Sequence, residues 1–245
     1  MPRLLRVLSL LGLLLMAQDA AATKLRLVGD AWPPFTDSNL VNGGLATDIV
    51  STALTRAGYT TEFEQVPWAR ALLGVGEGRY DVLVDAWFNH ERTLIGEFSN
   101  EYWVNRVRFL KRKDSPIIFD TLQALHPYPV AVVRGYAYST AFDNDPYLQK
   151  VPVHTFSMAL QMLAAGRVSL AVEDEYVARY NLSREKQQVR DSVEFLPKSL
   201  IENSLHILVS LKNPDHAEIV ASFDREIAAM KADGSYDRLF REHGL

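Results

Sequence analysis

The 245-residue chain contains no cysteine. That excludes disulfide staples, thiolate metal sites and a lipid anchor on a cysteine at a cleavage site. Stability must come from a hydrophobic core, and a chain of this length can build one. A large charge imbalance is also missing. The net charge is −4 and charged residues make up 23%, so nothing in the balance seeks phosphate, and nucleic-acid partners are excluded. No tandem repeat or low-complexity segment occurs. Past the N-terminus no apolar run approaches the ~20 residues that span a bilayer; His206–Leu211 is typical and strand-sized. Signatures of catalysis are absent too: no G-x-S-x-G elbow, no phosphate loop, no dinucleotide fingerprint. His90, His126, His154, His206, His216 and His243 show no metal-ligand spacing. The expectation is a protein that is not an enzyme, with no catalytic residues, no cofactor and no metal.

The N-terminus reads as an export signal. Arg3 and Arg6 give a positive start, Val7 to Met16 an apolar stretch, and Ala20-Ala21-Ala22 a small-residue cleavage site. Residues 1–22 are expected to be removed, leaving an exported chain that is not lipid-anchored. An outer membrane would retain it, so the expected compartment is the periplasm.

The remaining chain alternates strand and helix patterns. Lys24 to Val28 alternates as a strand, and Gly29-Asp-Ala-Trp-Pro-Pro-Phe35 forces an extended loop because prolines fix φ. Leu45 to Ala57 has helical apolar spacing and stops at Gly58. Thr60 to Gln65 is β-prone, Pro67 opens a helix over Trp68 to Val75, and Tyr80 to Val84 is a strand. Asn105 to Lys111 is another strand, and the polar stretch Lys111-Arg-Lys-Asp-Ser-Pro116 marks a change of region. The alternation then restarts: strand Val130–Val133, a helix from Ser139, strand Val151–Thr155, and a helix Ser157–Ala165 capped by Ser157. Strand Leu170–Val172 runs into Glu173-Asp174 and a helix over Glu175 to Tyr180. Leu205 to Leu211 is a return strand, followed by an amphipathic helix Ala217–Ala232 and a short helix Tyr236–His243. Two strand–helix series predict an α/β protein of two lobes, each a mainly parallel sheet flanked by helices, joined by two crossing segments.

Within this frame Asp81-Val-Leu-Val-Asp-Ala-Trp-Phe-Asn-His-Glu-Arg92 stands out. An apolar run breaks into a polar and aromatic cluster, as a buried strand does where its C-terminal end opens into a ligand crevice. On its own Arg92 reads better as a surface arginine in a salt bridge than as a ligand group. Asp174 reads as a helix N-cap as readily as a ligand group. Trp32 reads as a core tryptophan or, beside Pro33 and Pro34, as an exposed loop aromatic. Asp30 reads as a turn former, and Trp68 and Arg70 as lobe packing.

Taken together, Trp32-Pro-Pro-Phe35, Gly78-Arg-Tyr-Asp81, Glu91-Arg92, Phe98-Ser-x-x-Tyr102, Gly135, Gly166-Arg-Val-x-x-x-Val-Glu-Asp174 and Asp233-Gly-Ser-Tyr-Asp-Arg-Leu resemble, in order and spacing, the family 3 periplasmic solute-binding proteins that feed amino acids to ABC importers. The resemblance implies the type II periplasmic-binding-protein fold, with lobe one from residues 23–110 and 206–245 and lobe two from 111–205. It implies a monomer that closes on an amino acid or related zwitterion and delivers it to an ABC permease. Arg92 would hold the α-carboxylate, which suits a guanidinium. Asp174 would take the α-ammonium, Trp32 would cover the ligand body, and Gly135 would mark the lobe-two loop. A dehydratase or a sensory component on the same scaffold are the alternatives.

The chain also departs from that family. Asn89 replaces a common threonine, Asp85 and Trp87 add a carboxylate and an indole, and Tyr136-Ala-Tyr138 follows Gly135 where threonines are frequent. Asp85, Trp87, Asn89 and Tyr136 are therefore expected to shape the pocket, which admits a cationic or polyamine-like ligand.

Overall fold

The computed structural model describes residues 22–134, 136 and 138–245. The expected signal segment, but for Ala22, and Gly135 lie outside the described residues.

Lobe one is built on three parallel strands, β1 (Lys24–Gly29), β2 (Thr60–Gln65) and β3 (Val82–Trp87), in the order β2-β1-β3. Both faces are covered, which is why β3 is apolar without interruption over Val82–Val84. On one face Leu25, Leu27, Val82 and Val84 pack against α1 (Leu45–Arg56) and against α7 (His216–Asp233), whose Ile219, Phe223, Ile227 and Met230 form its buried stripe. On the other face Val28 and Leu83 meet Ala71 and Val75 of α2 (Trp68–Glu77). The short β4 (Gly96–Phe98) joins the edge, and α8 (Ser235–Glu242) closes the chain.

Lobe two repeats the plan with β6 (Val130–Val133), β7 (Lys150–Val153) and β8 (Leu170–Asp174), parallel in the order β8-β6-β7. One face packs on Phe156, Ala159, Leu160 and Leu163 of α4 (Phe156–Ala164). The other packs on Phe109, Phe119, Leu125 and Phe142, the last from the short α3 (Thr140–Asp143). Helices α5 (Glu175–Arg184) and α6 (Gln187–Ser192) complete it. The N-cap of α4 is Thr155, whose hydroxyl accepts from Met158 N, and Ser157 lies inside the helix. Both residues are good caps, and the earlier one wins because its extended backbone ends the preceding segment.

The two crossings are strands hydrogen-bonded to each other. β5 (Trp103–Arg112) and β9 (Val193–Ser210) run antiparallel from Trp103↔Leu205 to Arg112↔Val193. One end of this ribbon extends the lobe-one sheet through β3↔β9, and the other extends lobe two through β5↔β8. The return strand is thus 18 residues long and begins well before Leu205. Its first half lacks alternation and contains Pro197, which has no N–H to give; the register skips there, between Arg108↔Ser199 and Leu110↔Phe195. The Arg108 guanidinium bridges the gap by donating to Leu196 O.

Candidate functional site

A cavity of ≈ 390 Å³ opens at the C-terminal ends of β1, β3 and β6, lined by Asp30, Trp32, Trp68, Ala69, Asp85, Trp87, Arg92, Arg134 and Tyr136. Its size is that of a small-ligand site, and strand C-termini are where open α/β sheets bind ligands.

Trp32 is held by the chain around it. Its N–H donates to Thr36 O at 2.7 Å, and its own carbonyl accepts from Phe35 N and Thr36 N. Two of the N–H groups that a helix leaves unpaired at its start close the loop from below. Leu45 N donates to Pro34 O at 3.0 Å and Ala46 N to Phe35 O at 2.8 Å. The approach depends on Gly44, which has φ of 95° and where a Cβ would stand 2.6 Å from Phe35 O. Trp32 is thereby packed on Phe35 at 4.6 Å between ring centroids and edge-on to Trp87 at 5.7 Å.

Asp85 belongs to β3 where its pairing with β9 slips between Leu83 and Ala86. It is 5% exposed. Oδ2 accepts from Thr36 Oγ1 at 3.0 Å, while Oδ1 has no partner. Burial pushes its carboxyl well above the usual range, and the neighbouring Asp30 charge pushes it further. Asp30, in the same cavity wall, is likewise raised by burial.

Arg92 lies in the turn His90–Leu94 that follows β3. Its Nη1 donates to Trp87 O at 2.7 Å, and its guanidinium sits 5.0 Å from the Trp68 ring centroid. Among the described residues it forms no salt bridge. Partial burial lowers its pKa, with Asp85 acting in the opposite sense. The Trp87 indole N–H donates to Asn105 Oδ1 at 3.0 Å, so the indole is oriented from β5.

The structure thus brings Trp32, Asp85, Trp87, Arg92 and Tyr136 into one wall. Asn89 is elsewhere: it is exposed and caps the 90–94 turn, accepting from Glu91 N at 2.7 Å. Asp174 is fully buried and does not line the cavity. It is the N-cap of α5, accepting from Tyr176 N, Val177 N and Asn105 Nδ2 at 2.9, 3.0 and 3.0 Å. Burial raises it to about 6 against those hydrogen bonds. Its neighbour Glu173 accepts from Asp174 N, leaves Oε2 unpartnered, and is raised by burial to about 8.

Four lining residues escape the sequence reading. Asp30 and Trp68 stand there as a turn former and a packing residue, and Ala69 and Arg134 are unremarked. A signal existed for Arg134, a charged residue immediately after a buried strand and before a glycine. Among the described residues no group of three His, Cys, Asp or Glu can hold a metal, and no helix is long and apolar enough to cross a membrane.

The model of the bacterial extracellular solute-binding proteins, family 3, matches residues 25–245. The lysine/arginine/ornithine-binding periplasmic protein of Escherichia coli (strain K12) is 28% identical over 153 residues, which are 60% of this chain and 57% of that protein. Among solved structures, a histidine kinase sensor domain with similarity to periplasmic binding proteins superposes with a TM-score of 0.74 at 22% identity, covering 91% of this chain and 96% of the other. An ancestral arginine-binding protein bound to arginine gives 0.69 at 23% identity, covering 91% and 98%. These likenesses show the fold, two-lobed and of the type II periplasmic-binding-protein kind.

Proposed function

The chain belongs to the bacterial extracellular solute-binding proteins of family 3, and from that premise we propose that it captures an amino acid or closely related zwitterion in the cavity between its lobes and presents it to the permease of an ABC importer. The observation that carries this reading is Arg92: a guanidinium in the cavity wall, steadied by Trp87 O and Trp68 and in no salt bridge among the described residues. Such a group gives a planar pair of donors to a ligand carboxylate. Arg134, entering from lobe two, offers a second cation to the same group when the lobes approach. Trp32 and Trp87 supply flat apolar surface for the ligand body. The β5–β9 ribbon is the hinge about which the lobes close, and the closed form is what the membrane partner selects. The periplasm is the compartment that fits, given the signal-like residues 1–22 and a periplasmic relative.

The acids of the Glu173-Asp174 pair are poorly placed for acid–base work on a bound molecule, and the acids that do line the cavity, Asp30 and Asp85, are read here as binding groups. Glu173 and Asp174 have raised pKa values, yet neither lines the cavity. Binding without turnover is the expected behaviour.

The test is a thermal-shift screen of amino acids, polyamines and small carboxylates on ligand-free protein, followed by calorimetry. A true ligand at 100 times its Kd adds about 2.7 kcal/mol of stability. Arg92→Ala should weaken a carboxylate-bearing ligand by about 100-fold. If no zwitterion or carboxylate stabilises the protein, or if Arg92→Ala keeps full affinity, the reading is wrong. Neighbouring genes separate import, with an adjacent permease and ATPase, from sensing, with an adjacent kinase.

A further inference from the structure

Asp85 is a buried acid in an unusual position. Its Oδ2 has a hydroxyl donor, its Oδ1 has none, and among the described residues no lysine or arginine stands within salt-bridge distance. The acid beside it is another acceptor, Asp30, in the same cavity wall. An ionised carboxylate buried without a counter-charge costs several kcal/mol, so it either keeps a proton or receives a cation. Two neighbouring carboxyls in one buried wall share one proton for the same reason.

The surroundings fit a cation brought by a ligand. Trp32 and Trp87 present indole surface beside the pair, and indole faces attract ammonium and guanidinium groups. Arg92 in the same wall is directed to Trp87 O and Trp68, which leaves Asp85 Oδ1 free. The other titratable groups in range are hydroxyls: Tyr102 from β4–β5, which donates to Val84 O, and Tyr136 from lobe two, whose proton is also held by the charge of Glu173. Both hydroxyls are pushed up and stay neutral at neutral pH, and the cationic side chains in the same wall are Arg92 and Arg134.

Resting on the function proposed above, we propose that the Asp30–Asp85 pair is a cation subsite that holds one proton in the empty cavity and exchanges it for an ammonium or guanidinium group of the ligand. The exchange balances as one cation bound at the pair and one proton released to solvent. The ligand class is then a zwitterion with an additional cationic group, its carboxylate on Arg92 and its cation on Asp85. Because a proton and the ligand compete for one site, affinity for the cation rises with pH until the pair is fully ionised. It changes at most about tenfold per pH unit, the limit for one proton exchanged.

The experiment uses L-arginine, its uncharged near-isostere L-citrulline, and putrescine as probes. Each is titrated into ligand-free protein by calorimetry at about pH 6 and about pH 8, in two buffers of different ionisation enthalpy. Arginine is expected to bind at least about tenfold more tightly than citrulline, with buffer-dependent heat that reports a released proton. Asp85→Asn, which keeps the side chain's shape, should erase both the preference and the proton release while citrulline binding persists. Asp30→Asn should remove the proton release. If Asp85→Asn does not fold, the buffer dependence of the unaltered protein decides alone. Citrulline matching arginine, or arginine binding with no proton release, overturns the subsite, and the amino-acid reading survives if Arg92→Ala then abolishes binding. Putrescine binding with proton release while both amino acids fail keeps the subsite and overturns the amino-acid reading. Failure of all three probes overturns both.

Discussion

Asp85 and Asp174 are buried acids near the C-terminal ends of β3 and β8, one in each lobe, and their surroundings differ in kind. Asp174 accepts three hydrogen bonds, two from the start of α5 and one from Asn105. Asp85 accepts one, from Thr36, and faces a second acid. A carboxylate with its acceptor sites filled serves the fold; one left half-empty in a cavity wall stores a need that a ligand can meet. The same contrast extends to the walls. Lobe one fixes Trp32, Asp85, Trp87 and Arg92 through named bonds, whereas lobe two contributes, among the described residues, Arg134 and Tyr136 on the loop after β6. In the function proposed above, lobe one carries the preformed half of the site and lobe two the half that closure would add.

The sharpest way to break this comparison is to remove each acid in turn. Asp174→Ala deletes a helix cap and orphans the Asn105 amide, so urea melts should show a loss of about 2–4 kcal/mol. Asp85→Asn should cost less than about 1 kcal/mol, because a buried charge without a counter-ion is replaced by a neutral isostere. The sign of its pH dependence follows. A carboxyl whose folded pKa is raised contributes stability at low pH that is lost as pH rises through the folded value, so Asp85→Asn should gain on the unaltered protein as pH rises. Equal losses for the two variants would erase the distinction.

Asn105 links the two halves, accepting from the Trp87 indole of lobe one and donating to Asp174 of lobe two from within β5. Asn105→Ala leaves a buried N–H and a carboxylate oxygen unpaired, and should lower stability by about 1–3 kcal/mol. If the bridge matters to closure, ligand affinity falls as well; a stability loss with unchanged affinity would confine Asn105 to the fold.

Glu173 sharpens the lobe-two side. Its folded pKa stands at about 8 against an ordinary 4.5, so the stability it contributes is complete below about 4.5 and declines as pH rises to about 8. The decline should reach several kcal/mol at most, bounded by about 1.4 kcal/mol per pH unit across that window, and Glu173→Gln should flatten it. Denaturant melts across that window would show it.

How much of this was legible in the sequence depended on whether the signal was local. β1, α1, α2 and α7 follow from apolar periodicity bounded by Gly58, Pro67 and Gly234, because each buries a regular stripe. β9 upstream of Leu205 carried no such pattern, since its bonds are supplied by β5 and its side chains are mostly half-buried. Asp85 and Trp87 announced themselves as polar and aromatic interruptions of a buried strand. Trp68 and Arg134 did not, because they reach the cavity from the start of α2 and the end of β6, and only the chain's return in space joins them to Arg92. Asp174 stood open between cap and ligand group, and the geometry here shows the cap.

The smallest expected effect is also the most discriminating. Thr36 is fully buried, and its hydroxyl is the donor that satisfies Asp85 Oδ2. Thr36→Val keeps the shape of the side chain and removes that donor. Ionised Asp85 then loses its one fixed hydrogen bond, so the Asp30–Asp85 pair should hold its proton to higher pH. The fold itself should change by less than about 1 kcal/mol, because the protonated pair satisfies itself. Arginine must now displace a more tightly held proton, so its affinity at neutral pH should fall by about two- to fivefold, the equivalent of ~0.4–1 kcal/mol. Citrulline, which leaves the proton in place, should be unaffected, and the arginine deficit should close as pH rises. A deficit shared by both probes would mean that Thr36 acts by positioning Trp32, whose loop it ends, and the proton-exchange account of Asp85 would lose its support.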